Sequence, residues 1–516
     1  MKNVSRIFSK GVLGIYTVLL VMINIVVLFL QWKTEYSCKK EFDFPDIVLL
    51  CMGLLLLAGF LLWYRRKREA LEQALSKKKW LIAVLTAGLL VLQILFCYNL
   101  FFITGWDAWN VVKNAERISN LDYLGLDIRY FSSHSNNLFL LCMYSYVFKI
   151  AHIFGKITWE EGVFAVVIFQ CVVSAATGFF LYQVVQKRFR SYADALLAWV
   201  IYVVFVGFSP WLFITYSDSV GLFVPILLLW LYQLQQNGKQ RWIIWFFIGL
   251  SAYVGYRIKP QTAIVFIAMA LVEIFCNQRI SGNPKKKLGS FAACALAVVL
   301  AFAGGTVFYQ KFVVPKVHMT LDAEADFGIA HFLMLGLHEG SNGVYSAEDS
   351  KFSMSFETKA ERDEADLEVA KERLKEMWGS RLLSHLGKKT LVNFADGTFA
   401  WSEEGGFYKT VLREPNETVS PFLRSIYYED EKYYTAFVNV MQMIWLLLLF
   451  GMAAAGMGQA RRLASDKTLL VLLVAVIGLI LFQTIFEARA RYLYTFAPLF
   501  ILLAMTGFRN MEKKLC

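Results

Sequence analysis

Ten side chains in five short polar segments have the types and spacing that could do chemistry. Carboxylates can take up and release protons, whereas arginine and lysine side chains bind phosphate oxygens. The set therefore suits a protein that binds an anionic substrate and exchanges protons with a second molecule that reacts with that substrate. The candidates are Asp107, His134, Asn136, Asn137, Asp218, Arg257, Lys259, Glu487, Arg489 and Arg491, with Tyr492 beside the last.

The two aspartates also have a structural interpretation. Asp107 lies between Trp106 and Trp109, and tryptophans are common at a membrane boundary. It could cap a helix over 108–118, and Asp218 could cap the helix that follows it. Residue type alone does not separate a helix cap from a catalytic carboxylate.

The remaining candidates also have structural interpretations. His134 could be a hydrogen-bonded structural residue, since a lone histidine more often is. Arg257 and Lys259 lie in one tight turn and could extend to lipid headgroups rather than hold an anion. Glu487 could pair with Arg491, four residues later.

Composition decides what kind of protein carries these segments. Of 516 residues, 57% are hydrophobic and 18% are charged, against about 25% charged in soluble globular chains. The mean hydropathy is +0.49. Apolar runs near 20 residues recur, and one such run crosses a bilayer of roughly 30 Å. We therefore predict an all-α polytopic membrane protein and exclude disordered, fibrous and cytosolic chains.

Thirteen apolar runs are candidate membrane spans. The first follows three basic residues and lacks a small-residue cleavage site, so we expect a retained span rather than a signal peptide. The runs are 11–30, 47–64, 81–102, 138–154, 160–184, 192–209, 217–234, 242–256, 260–276, 290–309, 435–458, 468–486 and 492–508.

The distribution of positive charge tests whether all thirteen runs cross the membrane, because cytoplasmic segments carry an excess of Lys and Arg. Thirteen crossings would put the basic clusters at 187–190, 284–287 and 509–514 outside. If 138–154 lies along the outer surface instead, twelve spans remain and every cluster falls inside. The inside segments then hold 25 Lys and Arg, and the short outside segments hold 10. The net charge of +12 is therefore a topology signal and requires no nucleic-acid partner.

The same topology predicts four parts of the chain. Residues 1–80 form an N-terminal two-helix transmembrane hairpin, and 81–309 form the membrane core. Residues 310–434 form an extracytoplasmic loop domain with 15 Lys and Arg against 22 Asp and Glu, and 435–516 form the C-terminal transmembrane helices.

Two helices are expected inside the long outer loop. Thr358 and Glu361 have the spacing of a capping box that opens a helix reaching about Trp378. Its apolar stripe would be Leu367, Ala370, Leu374, Met377 and Trp378. A second short helix is predicted over 381–394.

The cysteines indicate no redox or metal chemistry. The chain has eight cysteines and no CxxC pair, and six of them lie in or beside apolar runs, where a thiol acts as a small hydrophobe. We predict neither a disulfide framework nor a zinc site. A divalent metal is possible at the outer carboxylates, but no ligand spacing indicates one.

The predicted topology brings all five polar segments to one membrane face. Two carboxylate segments, an Asn/His turn and four cations meet there. This composition suits a lipid-anchored anion, with cations for a phosphate and carboxylates for proton transfer on its partner.

At this point the chain resembles the GT-C membrane glycosyltransferases, over roughly 80–510. The likeness is to the bacterial branch related to protein O-mannosyltransferases and the lipid A aminoarabinose transferase. In that pattern an acidic residue follows the first core span, matched by Asp107. A turn then opens a juxtamembrane helix, matched by 133–137, and a Tyr-x-Asp element is matched by 216–218.

The later motifs continue the resemblance in the same order. Lys259 and Pro260 match a lysine that opens a later span, and 491–498 fits an Arg-Tyr-Leu-x-x-x-x-Pro element. Residues 331–337 and 342–349 look like the outer-loop pattern of Gram-positive members. Two departures stand out: Ala108 replaces the second acid of the usual pair, which puts a metal in doubt, and 134–136 read His-Ser-Asn rather than His-Pro-Pro.

The resemblance implies an inverting transferase in a bacterial, Gram-positive plasma membrane. It would pass a sugar from a polyprenyl-phosphate donor to an extracytoplasmic acceptor, which could be a glycan, a lipid or a protein. Asp107 would act as the base and Asp218 would orient the sugar or the acceptor. Arg257, Lys259, Arg489 and Arg491 would hold the phosphate.

Rival functions stay open at this point. They are a lipid-linked sugar flippase or transporter, an envelope polysaccharide ligase and a non-catalytic scaffold. A transporter commonly places its ionisable groups near the bilayer midplane, often in interrupted helices. The span centres of this chain carry few charges.

Overall fold

A computed structural model gives the fold of the chain. It describes residues 2–236, 241–276, 284–405, 414–457, 463 and 466–515. Over these residues the regular secondary structure is helical and no strand is present. This confirms the predicted all-α architecture.

The first half of the chain contains long apolar helices separated by short surface helices. The helices are α1 (Lys2–Leu30), α2 (Asp46–Lys77), α3 (Leu81–Leu100), α4 (Trp106–Ser119), α5 (Ile128–Ser133), α6 (Leu138–Ile153), α7 (Trp159–Phe189), α8 (Tyr192–Tyr202), α9 (Ser217–Gly221), α10 (Phe223–Gln235), α11 (Arg241–Ile258), α12 (Ala263–Cys276) and α13 (Pro284–Phe308).

The second half places six short helices between α13 and the last long ones. They are α14 (Ile329–Gly336), α15 (Ala347–Ser353), α16 (Lys359–Glu376), α17 (Ser380–Phe394), α18 (Trp401–Gly405) and α19 (Val419–Tyr427). The last four helices are α20 (Tyr434–Gly456), α21 (Lys467–Ile485), α22 (Arg491–Tyr494) and α23 (Ala497–Leu515).

Eight helical stretches of the described chain are long and apolar enough to cross a membrane. They are Val4–Leu30, Asp46–Lys77, Leu81–Leu100, Trp159–Phe189, Ser217–Gln235, Gly289–Val317, Tyr434–Gly456 and Lys467–Ile485. The other four predicted spans fall on the shorter apolar stretches Tyr192–Gly207 and Pro260–Cys276 and on α11 and α23. The total of twelve stays a prediction. We call the end of the bundle that carries α4, α6 and 310–434 the outer end, following the charge pattern.

The run 138–154, which charge removes from the spans, forms the short helix α6. It has 16 residues and does not appear among the candidate spans. One face packs on α4 and α7 through Leu141, Tyr144 and Phe148. The other face exposes apolar side chains, as expected of a helix that lies along a membrane boundary.

An irregular segment between α8 and α9 carries the chain to the polar residues at the outer end. It runs through a π-turn at Val203–Gly207 and a 3-10 turn at Pro210–Phe213. Buried glutamines satisfy its main chain: Gln93 Nε2 donates to the Gly207 carbonyl at 2.6 Å, and Gln170 Nε2 to the Leu212 carbonyl at 2.7 Å. Non-helical backbone within a membrane bundle requires such partners.

The outer loop contains the helices predicted for it. Thr358 and Glu361 form both hydrogen bonds of the capping box at the start of α16, and α17 covers the second predicted helix. The predicted apolar stripe is only partly buried, because Trp378 is 76% exposed while Ala370 is buried. Arg362 lies on the buried face instead and donates to the Ser353 carbonyl.

A short part of this loop passes back into the bundle. Residues 395–401 are all buried, and Phe399 and Ala400 have positive φ angles of 58° and 55°. The Asp396 carboxylate accepts hydrogen bonds from the Thr398 and Ala400 amides at 2.7 and 2.8 Å and so stabilises this conformation. A Cβ at Gly397 would lie 2.5 Å from the Met441 carbonyl oxygen, so the segment packs directly on α20.

The N-terminal hairpin is joined to the rest of the bundle at the outer end. Lys40, in the connection between α1 and α2, donates to Ser402 at 2.6 Å and to Tyr434 at 3.1 Å. Gln442 of α20 donates to Asp46 at 2.9 Å. The helices α1 and α2 both pack on α20.

Candidate functional site

Asp218 is the centre of a buried ionic cluster. It lies in the first turn of α9 and is 0% exposed. The Lys259 amino group donates to its Oδ1, and Nη1 of Arg491 lies 3.6 Å from its Oδ2. Two cations from distant parts of the sequence therefore share one carboxylate.

The backbone explains how Lys259 reaches this cluster. Lys259 is extended, with φ −154°, between the end of α11 and the 3-10 turn that starts at Pro260. The amide of Lys259 still donates to the Gly255 carbonyl at 2.7 Å. A Cβ at Gly255 would lie 2.4 Å from Val224, so glycine here allows α11 to approach α10 closely.

Aromatic rings enclose Arg491. Its guanidinium carbon lies 4.8 Å from the centre of the Trp106 ring, 5.4 Å from Tyr216 and 5.6 Å from Tyr492. Arginine stacks well on such rings and keeps its N–H edge available for an anion. Arg491 is 7% exposed and Lys259 4%, so both cations lie below the surface.

Asp107 lies next to this cluster and is only half-buried. The Tyr216 hydroxyl is 3.3 Å from its Oδ2 and 3.2 Å from Oδ1 of Asn137. Asn137 Nδ2 donates to the Tyr130 hydroxyl at 2.8 Å. Tyr216 thus connects Asp107, Asn137 and the ring cage of Arg491.

Neither aspartate is an N-cap. The N-cap of α4 is Gly105 and that of α9 is Tyr216, and each aspartate is the second residue of its helix. The helix-cap interpretation is therefore wrong for Asp107 and for Asp218. For α4, the positive end of the helix dipole still favours a negative charge at Asp107.

The last outer turn holds a further carboxylate, that of Glu487. Arg489 Nε donates to Glu487 Oε1 at 3.1 Å, and the Tyr492 hydroxyl donates to Oε2 at 2.8 Å. Burial alone would raise the pKa of Glu487, but Arg489 and Arg491 hold that pKa below its ordinary value. Glu487 is therefore an ionised anchor for this turn.

Lys389 of the outer loop fixes the same turn. Its amino group donates to the Gly336, Thr484 and Phe486 carbonyls at 2.8, 2.9 and 2.8 Å. Burial lowers the pKa of Lys389 to about 7, and the Glu487 charge opposes that shift. The sequence offered no signal for this role.

Arg257 is not brought to the Asp218 cluster. Its guanidinium lies 3.9 Å from the centre of the Tyr309 ring, and its Nε donates to the Tyr253 hydroxyl at 3.1 Å. Arg257 and Lys259 are two residues apart, yet their side chains contact different parts of the molecule.

His134 and Asn136 lie at the rim of the site. The His134 ring stacks on Tyr130 with a centroid distance of 4.6 Å, and its Nδ1 is 2.9 Å from Ser133 Oγ. Asn136 is exposed, with Nδ2 3.5 Å from Asn137 Oδ1. Of the predicted turn, only Asn137 reaches the centre.

Three aromatic residues of the site were not among the predicted candidates: Trp106, Tyr130 and Tyr216. Tyr216 had a signal, because it precedes Asp218 in the Tyr-x-Asp element. Within the described residues no three His, Cys, Asp or Glu side chains converge as metal ligands would.

Fold and composition together define an integral, multi-pass membrane protein with a polar cluster at the outer end of its helices. Residues 4–511 match the family of conserved hypothetical integral membrane proteins, and the chain belongs to that family. No curated protein and no solved structure matches the chain.

Proposed function

We propose that the protein transfers a sugar from a polyprenyl-phosphate-linked donor to an extracytoplasmic cell-envelope acceptor. One observation carries the proposal: the buried Lys259–Asp218–Arg491 cluster adjoins the half-buried Asp107. Cations and a separate, accessible carboxylate are the two parts that such a displacement requires. The order of motifs resembling GT-C glycosyltransferases supports the same function.

In this proposal the reaction is a single displacement at the anomeric carbon. Asp107 takes the proton of the acceptor hydroxyl, and the acceptor oxygen forms the new bond to that carbon. The bond between the anomeric carbon and the phosphate oxygen breaks, and polyprenyl phosphate leaves with the electron pair. The configuration at carbon is inverted.

The cations stabilise the phosphate as it leaves. Arg491 and Lys259 are held in place before the substrate arrives, so little reorganisation is needed during the reaction. Asp218 is fully buried and bound to both, so we assign it to positioning them rather than to proton transfer. Asp107, which is more accessible, remains the base.

The test is sugar transfer by the purified protein in proteoliposomes. Vesicles receive a radiolabelled polyprenyl-phosphate sugar and an extracted cell-envelope acceptor, and the product is followed by chromatography. We expect labelled acceptor and free polyprenyl phosphate in equal amounts. A deletion strain should accumulate the unused donor lipid.

The same vesicles distinguish the rival functions. Movement of the intact lipid-linked sugar between leaflets, without cleavage of the phosphate bond, would identify a flippase and overturn the proposal. Transfer of a preformed polysaccharide, but not of a single sugar, would identify a ligase.

A further inference from the structure

A second group of cations lies at the outer end, apart from the candidate site. It consists of Lys149 on α6, Arg257 at the end of α11, and Lys311 and Lys316 after α13. We call these four residues the interface patch. Residues 309–317 pack on α6, and the end of α11 does so too, which brings the three elements to one corner of the bundle.

One ring contact and one electrostatic effect connect members of the patch. The Arg257 guanidinium stacks on Tyr309 at 3.9 Å, two residues before Lys311. Burial raises the pKa of Cys142 on α6, and the charges of Lys149 and Lys316 both act in the opposite direction. The two lysines therefore act electrostatically on the same part of α6, against which residues 309–317 pack.

The cations of the interface patch differ from other cations at the outer end in the side chains that they contact. Lys40, Lys259 and Arg373 each pair with a carboxylate. Over the part of the chain that the structure describes, no member of the patch forms an ion pair; Arg257 bonds only to the Tyr253 hydroxyl, and Lys149 lies 5.4 Å from the Tyr146 ring. Among the described residues, no carboxylate therefore pairs with the cations of this corner.

Exposed apolar side chains lie close to these cations in the sequence. At the end of α6, Ile150, Ile153 and Phe154 are 56%, 77% and 87% exposed; Phe308 at the end of α13 and Phe312 in the turn after it are 55% and 56% exposed. The two groups lie on elements that pack against each other, and the second belongs to the candidate span Gly289–Val317. Cations beside apolar side chains at a membrane boundary match the headgroup and the acyl region of a lipid.

We propose that the interface patch binds the phosphate headgroup of an anionic phospholipid of the outer leaflet. The occupant follows from charge complementarity with these cations and from the exposed apolar side chains beside them on α6 and on the candidate span Gly289–Val317. The proposal separates the two cations of one turn: Lys259 serves the buried cluster, and Arg257 contacts the bilayer. It is independent of the proposed transfer reaction.

The experiment measures lipid retention by native mass spectrometry. The protein is purified in detergent with equal amounts of phosphatidylglycerol and phosphatidylcholine. Each Lys or Arg near an anionic headgroup strengthens binding about fivefold, so the variant K149Q/R257Q/K316Q should retain phosphatidylglycerol about 100-fold less tightly. Phosphatidylcholine retention should not change.

A matched variant controls for net charge. K351Q/K371Q/K375Q removes three exposed cations from the outer loop and should retain phosphatidylglycerol as the wild type does. If loss of Arg257 impairs folding, K149Q/K311Q/K316Q replaces the three lysines only and should weaken retention to a similar extent.

Three outcomes would overturn the proposal. They are unchanged phosphatidylglycerol retention in both patch variants, equal loss in the outer-loop variant, and preference of the patch for added polyprenyl phosphate over phosphatidylglycerol. A stable dimer that buries the patch, visible in the same spectra, would also contradict it.

Discussion

Asp107 and Asp218 occupy equivalent positions in the sequence pattern but very different surroundings. Each is the second residue of a helix at the outer end and comes one or two residues after an aromatic side chain. Asp218 is sealed from solvent with Lys259 and Arg491, whereas Asp107 is half-buried beside the Tyr216 hydroxyl. Under the proposed function, this difference favours a positioning role for Asp218 and proton transfer for Asp107.

The comparison has a physical basis. Protonating a buried carboxylate that two cations share would weaken both ion pairs, which is costly away from solvent. An accessible carboxylate with a neutral partner can accept one at much lower cost. Substitutions at the two aspartates and at the residues around them test these separate roles, and they follow in order of decreasing expected effect.

Asp107→Asn should lower sugar transfer by about 10²–10⁴-fold, the usual contribution of a general base. Asparagine keeps the size of the side chain but cannot take up the acceptor proton. Transfer is measured in proteoliposomes, and donor binding should survive. Near-normal turnover would remove Asp107 from catalysis, and Ala108 offers no neighbouring carboxylate to replace it.

Asp218→Asn should destabilise the fold by about 3–5 kcal/mol, because it removes the buried carboxylate that Lys259 and Arg491 share. Thermal unfolding in detergent measures the loss, with Asp107→Asn as the matched control. The double variant Asp218→Asn/Lys259→Met should recover part of the stability. Equal losses for the two single aspartate variants would erase the distinction between them.

Lys259→Met should weaken donor binding by about 1.5–3 kcal/mol, the cost of a charged hydrogen bond, while Arg257→Gln should leave it unchanged. The two residues share one turn, so the pair is internally matched. Binding of polyprenyl phosphate in detergent, measured alongside thermal stability, gives the answer. If Arg257→Gln weakened binding more than Lys259→Met, the phosphate would bind near Arg257 rather than at the Asp218 cluster.

The burial of Lys389 against the last outer turn predicts a pH dependence. Burial lowers the pKa of Lys389 from 10.5 to about 7, so between those values the unfolded chain binds more protons than the folded one. Stability should therefore rise with pH from 7 to 9, by up to about 1.4 kcal/mol per unit. Lys389→Met should lack this rise, which is measured by unfolding at each pH; an identical slope in the variant would contradict it.

Tyr216→Phe should have the smallest effect. It removes one hydroxyl that contacts Asp107 and Asn137, and a neutral hydrogen bond contributes about 0.5–1.5 kcal/mol. Transfer should fall a few-fold, with the ring still in place beside Arg491. A loss as large as that of Asp107→Asn would make the tyrosine, rather than the aspartate, the central group.

Much of the site's composition could be predicted from local pattern and charge. The positive-inside pattern removed 138–154 from the spans, and the helix there, α6, has only 16 residues. The capping box at Thr358 needs only a spacing of three residues, and it is present. Such features depend on near neighbours in the sequence, so the sequence alone determines them.

Tertiary contacts could not be predicted in this way. Nothing near Lys259 shows that it turns to Asp218 while Arg257 turns to Tyr309, because the direction depends on how closely Gly255 lets α11 approach α10. Asp218 and Arg491 meet only after the last helices pack. Lys389 binds main-chain carbonyls, and such partners leave no trace in side-chain patterns.

The contact of Lys40 with Ser402 and Tyr434 has a consequence for how the protein is made. The ribosome produces Lys40 long before either partner exists, so the N-terminal hairpin must wait in the bilayer with its outer connection uncovered. Only when α20 is inserted can Gln442 reach Asp46 and close the outer end. Assembly of the outer end is therefore a late event, completed only after the C-terminal part of the chain has been made.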